Sequence, residues 1–131
     1  MSTEYEKVEN HMTLDETRAI LRAIPNLFER WQLTAQQSAE LLGVCPEIWN
    51  RIWSGHCEEL LTEDQTLRAG ALMGIYVALR MIFPKPRCYN WLLRPNSAAL
   101  FGDQPAIKVM IEGGLPAITR VRQYLEAELA Q

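Results

Sequence analysis

Apolar residues along the chain recur at three- and four-residue intervals, and alternation with period two never lasts beyond a few positions. That pattern predicts helices throughout and no sheet. Residues 14–31 carry the stripe Ile20, Leu21, Ile24, Leu27, Phe28 and Trp31, interrupted by Pro25, which marks either a kink or the first turn of a second helix. Further helices are expected over 34–42, closed by Gly43, over 46–53, closed by Ser54-Gly55, and over 62–83, stopped by Pro84 and Pro86. Beyond the prolines, 88–93 reads as a short helix. Residues 105–112 read as another, with Pro105 in its first turn and Gly113-Gly114 at its end. Residues 116–130 form the last, with Ile118, Val121, Leu125 and Leu129 as its buried stripe.

Three threonine boxes sharpen the picture. Thr13 with Glu16, Thr34 with Gln37, and Thr62 with Gln65 each pair a capping hydroxyl with a Glu or Gln three residues on, so that each satisfies a backbone N–H of the other. The expected fold class is all-α. In the long fourth segment Gly70 and Gly74 lie one turn apart, a spacing that lets a second helix approach closely, within one chain or across a dimer seam.

At 131 residues the chain is long enough to bury a core without disulfides or metal. Its three cysteines, Cys45, Cys57 and Cys88, are odd in number and show no paired short spacing, which fits reduced thiols. The opening residues MSTEYEKVENHMT are polar and acidic, unlike a secretion signal, so a cytoplasmic location is expected. The longest apolar run, 67–83, is broken by Arg68 and Arg80. The eleven residues between them fall well short of the ~20 needed to cross a bilayer, and no membrane partner is expected.

Charge divides the chain unevenly. Residues 1–61 hold five Lys/Arg against ten Asp/Glu, and residues 62–131 hold eight against six. No acidic residue falls between Gln65 and Gly102, where Arg68, Arg80, Lys85, Arg87 and Arg94 all lie. The net charge of −3 argues against a surface coated all round for nucleic acid, while leaving room for a local basic face in the second half.

Catalytic chemistry is thinly represented. His56 and Cys57 are adjacent, with Cys45 twelve residues earlier, and this lacks zinc-site spacing, so no metal is expected. Asp103 and Glu112 fall at opposite ends of a short helix, and Gly113-Gly114 lacks the lysine and preceding strand of a phosphate loop. Neither an enzyme nor a cofactor is expected.

Residues 33–55, LTAQQSAELLGVCPEIWNRIWSG, have the anatomy of a helix-turn-helix. A capped helix places the small Ala39 at the crossing, Gly43 supplies the turn, Val44 plugs the core and Pro46 opens the second helix, from which Trp49 and Ile52 face inward. Its outward positions are Cys45, Pro46, Glu47, Asn50, Arg51 and Ser54. Pro46, Glu47, Asn50, Arg51 and Ser54 are the candidate DNA-facing residues, with Asn50 and Arg51 as base readers and Ser54 at a phosphate. The segment resembles the Xre-like repressor pattern.

Residues 90–125, NWLLRPNSAALFGDQPAIKVMIEGGLPAITRVRQYL, extend that resemblance. Trp91-Leu92, Pro95-Asn96, Leu100, Gly102, Pro105, the Gly113–Leu115 step and Val121…Tyr124-Leu125 fall in the order of the partner-binding domain of the Xre/MbcA/ParS antitoxin family. Together with the helix-turn-helix, the resemblance covers about residues 20–128. The stretch RPNSAALFGDQP then reads as a joint between two short helices, with Asn96 or Ser97 capping a turn and Leu100 and Phe101 folding back to the core.

The resemblance implies three regions: a polar leader (1–12), an Xre-like helix-turn-helix region (13–61) and a toxin-binding and dimerisation domain (62–131). It implies a type II antitoxin, a homodimer, whose partner is a RES-domain toxin that destroys NAD. The antitoxin would bind as a folded domain and deny NAD access to the toxin's pocket. It would also repress its own operon through operator DNA. For the toxin contact it points to Arg94, Asn96, Lys108, Arg120, Arg122 and Gln123. Three features depart from the pattern: the second helix of the helix-turn-helix is weakly basic, Phe101 replaces a smaller residue, and no long C-terminal tail follows. Two alternatives stand beside it, a stand-alone Xre-type regulator and a protein-binding scaffold that never touches DNA.

Overall fold

All three threonine boxes close. Thr13 Oγ1 accepts from the Glu16 amide at 3.1 Å, Thr34 Oγ1 from Gln37 at 3.0 Å and Thr62 Oγ1 from Gln65 at 3.1 Å, and each Glu or Gln side chain returns to the threonine amide. They start three of the helices of this computed structural model, which describes residues 13–57 and 61–131 and so leaves the leader over 1–12 outside. In chain order these are α1 (Leu14–Arg30), α2 (Ala35–Leu42), α3 (Pro46–Ser54), α4 (Glu63–Ile82), α5 (Arg87–Asn90), which runs into a 3-10 turn at Trp91–Leu93, and α6 (Ala106–Leu129). The fold is all-α, with no strand among the described residues.

Three details differ from the sequence pattern. Pro25 lies inside one continuous α1 and starts no second helix. Pro105 stands at the N-cap of α6, one place before its first turn. Leu129, expected in the buried stripe of the last helix, is 37% exposed, where it borders an open groove along α4. The glycine break is where it was expected: Gly114, at φ 66° and ψ −152°, divides α6 into arms over 106–113 and 115–129.

The core runs across both halves of the chain. Phe28 and Trp31 of α1, Leu42 of α2, Trp49 and Ile52 of α3, Leu72 and Ile75 of α4, and Met110 and Leu125 of α6 belong to one buried cluster. Side chains of this size contribute roughly 1.5–3 kcal/mol each when fully buried. The two arms of α6 provide the main support for α4, while α1 covers α4 and α2 rests on α6. The described residues 13–57 and 61–131 are therefore packed as one body.

Arg68 ties that body together. Its Nε pairs with Asp64 Oδ2 at 2.7 Å, its Nη1 donates to the Leu41 carbonyl at 3.4 Å, and its guanidinium lies beside both Gly43 and Gly114. Next to it the Gln65 side chain serves two helices. Its Oε1 accepts from the Thr62 amide at 2.9 Å and its Nε2 donates to the Gly43 carbonyl at 2.8 Å, closing the start of α4 and the end of α2 together.

Candidate functional site

Helices α2 and α3 are joined by the three residues Gly43, Val44 and Cys45. Gly43 adopts φ 76°, a left-handed conformation that costs a residue with a Cβ about 1–2 kcal/mol. The amides of Gly43 and Val44 both donate to the Ala39 carbonyl, at 2.9 and 3.0 Å, which turns the chain sharply into Pro46 at the first position of α3. Trp49 and Ile52 then face the core at 4% and 3% exposure. Phe28 stacks on Trp49 with ring centroids 5.4 Å apart and on Trp31 at 5.9 Å, so α1 anchors the inner face of α3.

The outer face of α3 presents Pro46, Glu47, Asn50, Arg51 and Ser54, all exposed, as their spacing implied. Ser54 Oγ donates back to the Arg51 carbonyl at 3.2 Å and meets His56 Nδ1 at 3.2 Å. At the other end, hydrogen bonds from its own amide and from the Cys45 thiol, with the charge of Arg51 adding to them, hold the Glu47 carboxyl below the usual carboxylate range. A fixed negative charge therefore sits at the helix end that would approach a phosphate backbone.

Trp53 belongs to this face as well, although it is not among the outward positions named from the sequence. It is 54% exposed and forms a ridge between two grooves. One groove runs along α1 past Arg18, Leu21, Arg22 and Asn26. The other is lined by Gln32, Ser38, Trp49 and Asn50. An indole half in water beside clefts is the composition of a protein-binding hot spot more than of a base reader. The position of Trp53 one turn after Trp49 was the available signal.

A second site lies around the 94–105 joint. Pro95 and Pro105 form an antiparallel bridge, the Asn96 amide donates to the Gln104 carbonyl at 3.2 Å, and the Asp103 amide returns to the Asn96 carbonyl at 3.0 Å. Asn96 Oδ1 caps the Ala98 amide at 2.9 Å. The joint is thus a closed loop pinned at its neck, with Gly102 and Asp103 at positive φ turning it back. Phe101, 2% exposed, is its plug. It meets Trp91 edge to face at 5.6 Å and Tyr124 at 5.4 Å, while Phe83 stacks on the far side of Trp91 at 6.4 Å. The larger residue that departs from the resembled pattern at 101 fills the centre of this aromatic stack.

The residues expected to face a toxin are divided among several faces. Arg94, Lys108, Arg120 and Gln123 are exposed, and Arg120 and Gln123 lie three residues apart on one side of α6. Lys108 Nζ donates to Gln104 Oε1 at 3.2 Å, which keeps it beside the joint. Asn96 is half-buried and committed to the loop. Arg122 lies on the opposite side of α6 from Arg120, against α4. Its guanidinium covers Gly74, and its Nε pairs with Glu126 Oε1 at 2.7 Å.

The acid-free stretch that left room for a local basic face contributes Arg80 and Arg87 to a cluster at the outer edge of α4, which Arg30 joins from α1. Arg30 of α1 and Arg80 of α4 both donate to the Tyr76 hydroxyl, Arg80 at 3.2 Å. Burial pushes the Tyr76 phenol up, but these two hydrogen bonds and the charges behind them outweigh it and hold the phenol below its usual value. Arg80 falls one turn after Tyr76, whereas Arg30 is brought there only by the packing of α1 on α4. Beyond it Arg87 lies over the Phe83 ring at 4.6 Å. No helix among the described residues is long and apolar enough to cross a membrane.

Compared with known proteins, the chain is 32% identical over 111 residues to a Sinorhizobium fredii protein named "Uncharacterized protein y4oB", an alignment that covers 84% of each. No family model matches the chain. No solved structure matches it either.

Proposed function

The chain belongs to one family with the Sinorhizobium fredii protein y4oB, and we propose that it acts as the antitoxin of a type II toxin–antitoxin pair. In this reading it is a cytoplasmic protein of the Xre/MbcA/ParS type. Its partner is a RES-domain toxin that destroys NAD, and it neutralises that toxin by binding as a folded domain across the entrance to the NAD pocket. The observation that carries the reading is the 94–105 joint. Trp91, Pro95, Asn96, Gly102, Pro105 and Tyr124, six of the residues through which the chain resembles that family, bridge, cap, turn and wall this one closed unit.

Exposed cations around the unit supply the contact. Arg94 and Arg120 are free to form bidentate pairs with toxin carboxylates, and Lys108 and Gln123 flank them. Operator binding belongs to the same reading: two copies would present their α3 helices to successive major grooves, with Asn50 and Arg51 reading bases.

The test is co-expression. The reading frame beside this one, expressed alone, is expected to halt growth and deplete cellular NAD, and expression of this chain with it is expected to restore both. A harmless neighbour that forms no complex with this chain would sink the antitoxin reading and leave α2–α3 to carry the function as a stand-alone regulator.

The ionised Glu47 and the half-exposed Trp53 on α3 favour a second reading, in which neutralisation is kept and this helix docks protein instead of DNA. A gel shift with the upstream DNA at physiological salt separates the two. Retardation that weakens steeply as salt rises is the signature of phosphate contact.

A further inference from the structure

Four cations at the outer edge of α4 have no part in the proposed toxin contact or in the α3 surface. Arg30 ends α1, Arg80 lies in the last turn of α4, and Lys85 and Arg87 follow it, all four exposed. None forms an ion pair with a carboxylate among the described residues. Each lies instead over an aromatic ring. The Arg30 and Arg80 guanidiniums are 6.0 and 5.9 Å from the centre of Tyr76, Lys85 Nζ is 6.0 Å from that of Tyr89, and Arg87 is 4.6 Å from that of Phe83.

Arg30 and Arg80 form the tightest part of the cluster. A last-turn arginine ordinarily reaches for the free carbonyls of its own helix, but both of these donate to the Tyr76 hydroxyl. Two like charges are thus brought to one oxygen with no carboxylate to offset them. Tyr76 is held from its core side, where the wholly buried Trp31 lies 6.2 Å from its ring. With the lone pairs of the hydroxyl taken by guanidinium donors, only its proton is left to offer. The cluster therefore presents donors and positive charge alone, and what completes it from outside is an oxyanion.

We propose that this edge binds the phosphate backbone of nucleic acid, with one phosphate spanning Arg30, Tyr76 and Arg80 and its neighbours meeting Lys85 and Arg87. Charge complementarity favours a backbone over an acidic protein. A single carboxylate would satisfy the Arg30–Arg80 pair, but Lys85 and Arg87 stand apart on their own rings. A repeating anion answers all four, and a nucleic acid carries one charge at every nucleotide. The acid-free stretch between Gln65 and Gly102, which supplies three of the four cations, has nothing to repel such a chain. Stacking on a ring holds a guanidinium plane in place while the side chain stays exposed, which suits phosphate recognition. The contact reads no base and lies apart from α3, so it depends neither on the operator reading nor on the toxin.

The experiment is fluorescence anisotropy of a labelled duplex of scrambled sequence, titrated with the full chain across a salt series. With four phosphate contacts, affinity should fall by roughly a hundredfold between about 50 and 200 mM salt. Arg30→Gln and Arg80→Gln should each weaken binding and reduce the slope of log K against log salt by about one. Tyr76→Phe keeps both charges, so it should weaken binding a few-fold at an unchanged slope. Melting temperatures near the parent's are expected for all three.

Parent-like slopes in both arginine variants would overturn the proposal, and so would a duplex that does not bind at low salt. Displacement of the duplex by inorganic phosphate at equal phosphate concentration would assign the cluster to a free phosphate group instead. A duplex that stays unbound, with Arg80→Gln weakening the complex with the neighbouring gene's product, would assign the edge to an acidic protein surface. Co-expression reads growth and NAD, so this inference and the antitoxin reading fail separately.

Discussion

The guanidinium of Arg68 lies over Gly43, where an added Cβ would stand 3.1 Å from its Cζ. Gly43 is also at φ 76°, so a side chain there meets both backbone strain and Arg68. Gly43→Ala is expected to lower stability by about 1–2 kcal/mol in urea denaturation. In an Arg68→Ala background the same change should cost less, because the crowding is gone and only the backbone strain remains. Equal costs in the two backgrounds would mean that Arg68 does not constrain the turn.

Phe101 at the centre of the aromatic stack gives the largest expected stability effect. Phe101→Ala should destabilise by about 3–5 kcal/mol, and Phe101→Leu by much less, since it keeps most of the volume. Both are read from chemical denaturation of the full chain. A near-neutral Phe101→Ala would show that the joint does not depend on its plug.

Glu47 links pH to the α3 surface. Its carboxyl is held below the usual range, so its stabilising contribution is complete above the pH at which an unfolded carboxylate ionises, and is lost as pH falls through the lowered folded value. An NMR titration of the side chain should place its midpoint below that of an exposed glutamate. At neutral pH the group is charged, so Glu47→Gln should strengthen binding to the upstream DNA by a few-fold. No gain would speak for the protein-docking reading of α3.

Arg120 and Arg122 are two residues apart and are expected to behave differently. Under the antitoxin reading, Arg120→Glu should weaken the complex with the neighbouring gene's product by roughly tenfold or more, about 1.4 kcal/mol per decade, with no change in melting temperature. Arg122→Ala removes a half-exposed ion pair, worth about 0.5 kcal/mol, and should leave toxin affinity nearly unchanged. Calorimetric titration of each variant decides between them, and the reverse order would move the toxin contact to the α4 face.

Much of the site was legible in the sequence where the determinants are local. The threonine boxes, the Gly43 turn and the Asn96 cap each depend on residues within a few positions of one another, and the structure has all of them. The inward and outward positions of α3 followed from helical spacing for the same reason. What could not be read were relations between segments. Arg30 and Tyr76 are 46 residues apart and meet only because α1 crosses α4. Arg122 was expected beside Arg120 at a toxin contact, and only the packing of α6 on α4 puts it over Gly74. Leu129 had the spacing of a core residue, but spacing cannot show that the groove beside it is left open.

The sequence by itself determined that this chain is helical, where its helices begin and turn, and which face of each is apolar. Backbone capping, left-handed glycines and the 3.6-residue period act over distances of a few residues. Tertiary structure alone decided that both halves share one core, that the joint closes around Phe101, and that a groove along α4 is left open. Those outcomes depend on which helix faces satisfy each other, a competition among surfaces far apart in the chain that local pattern does not record.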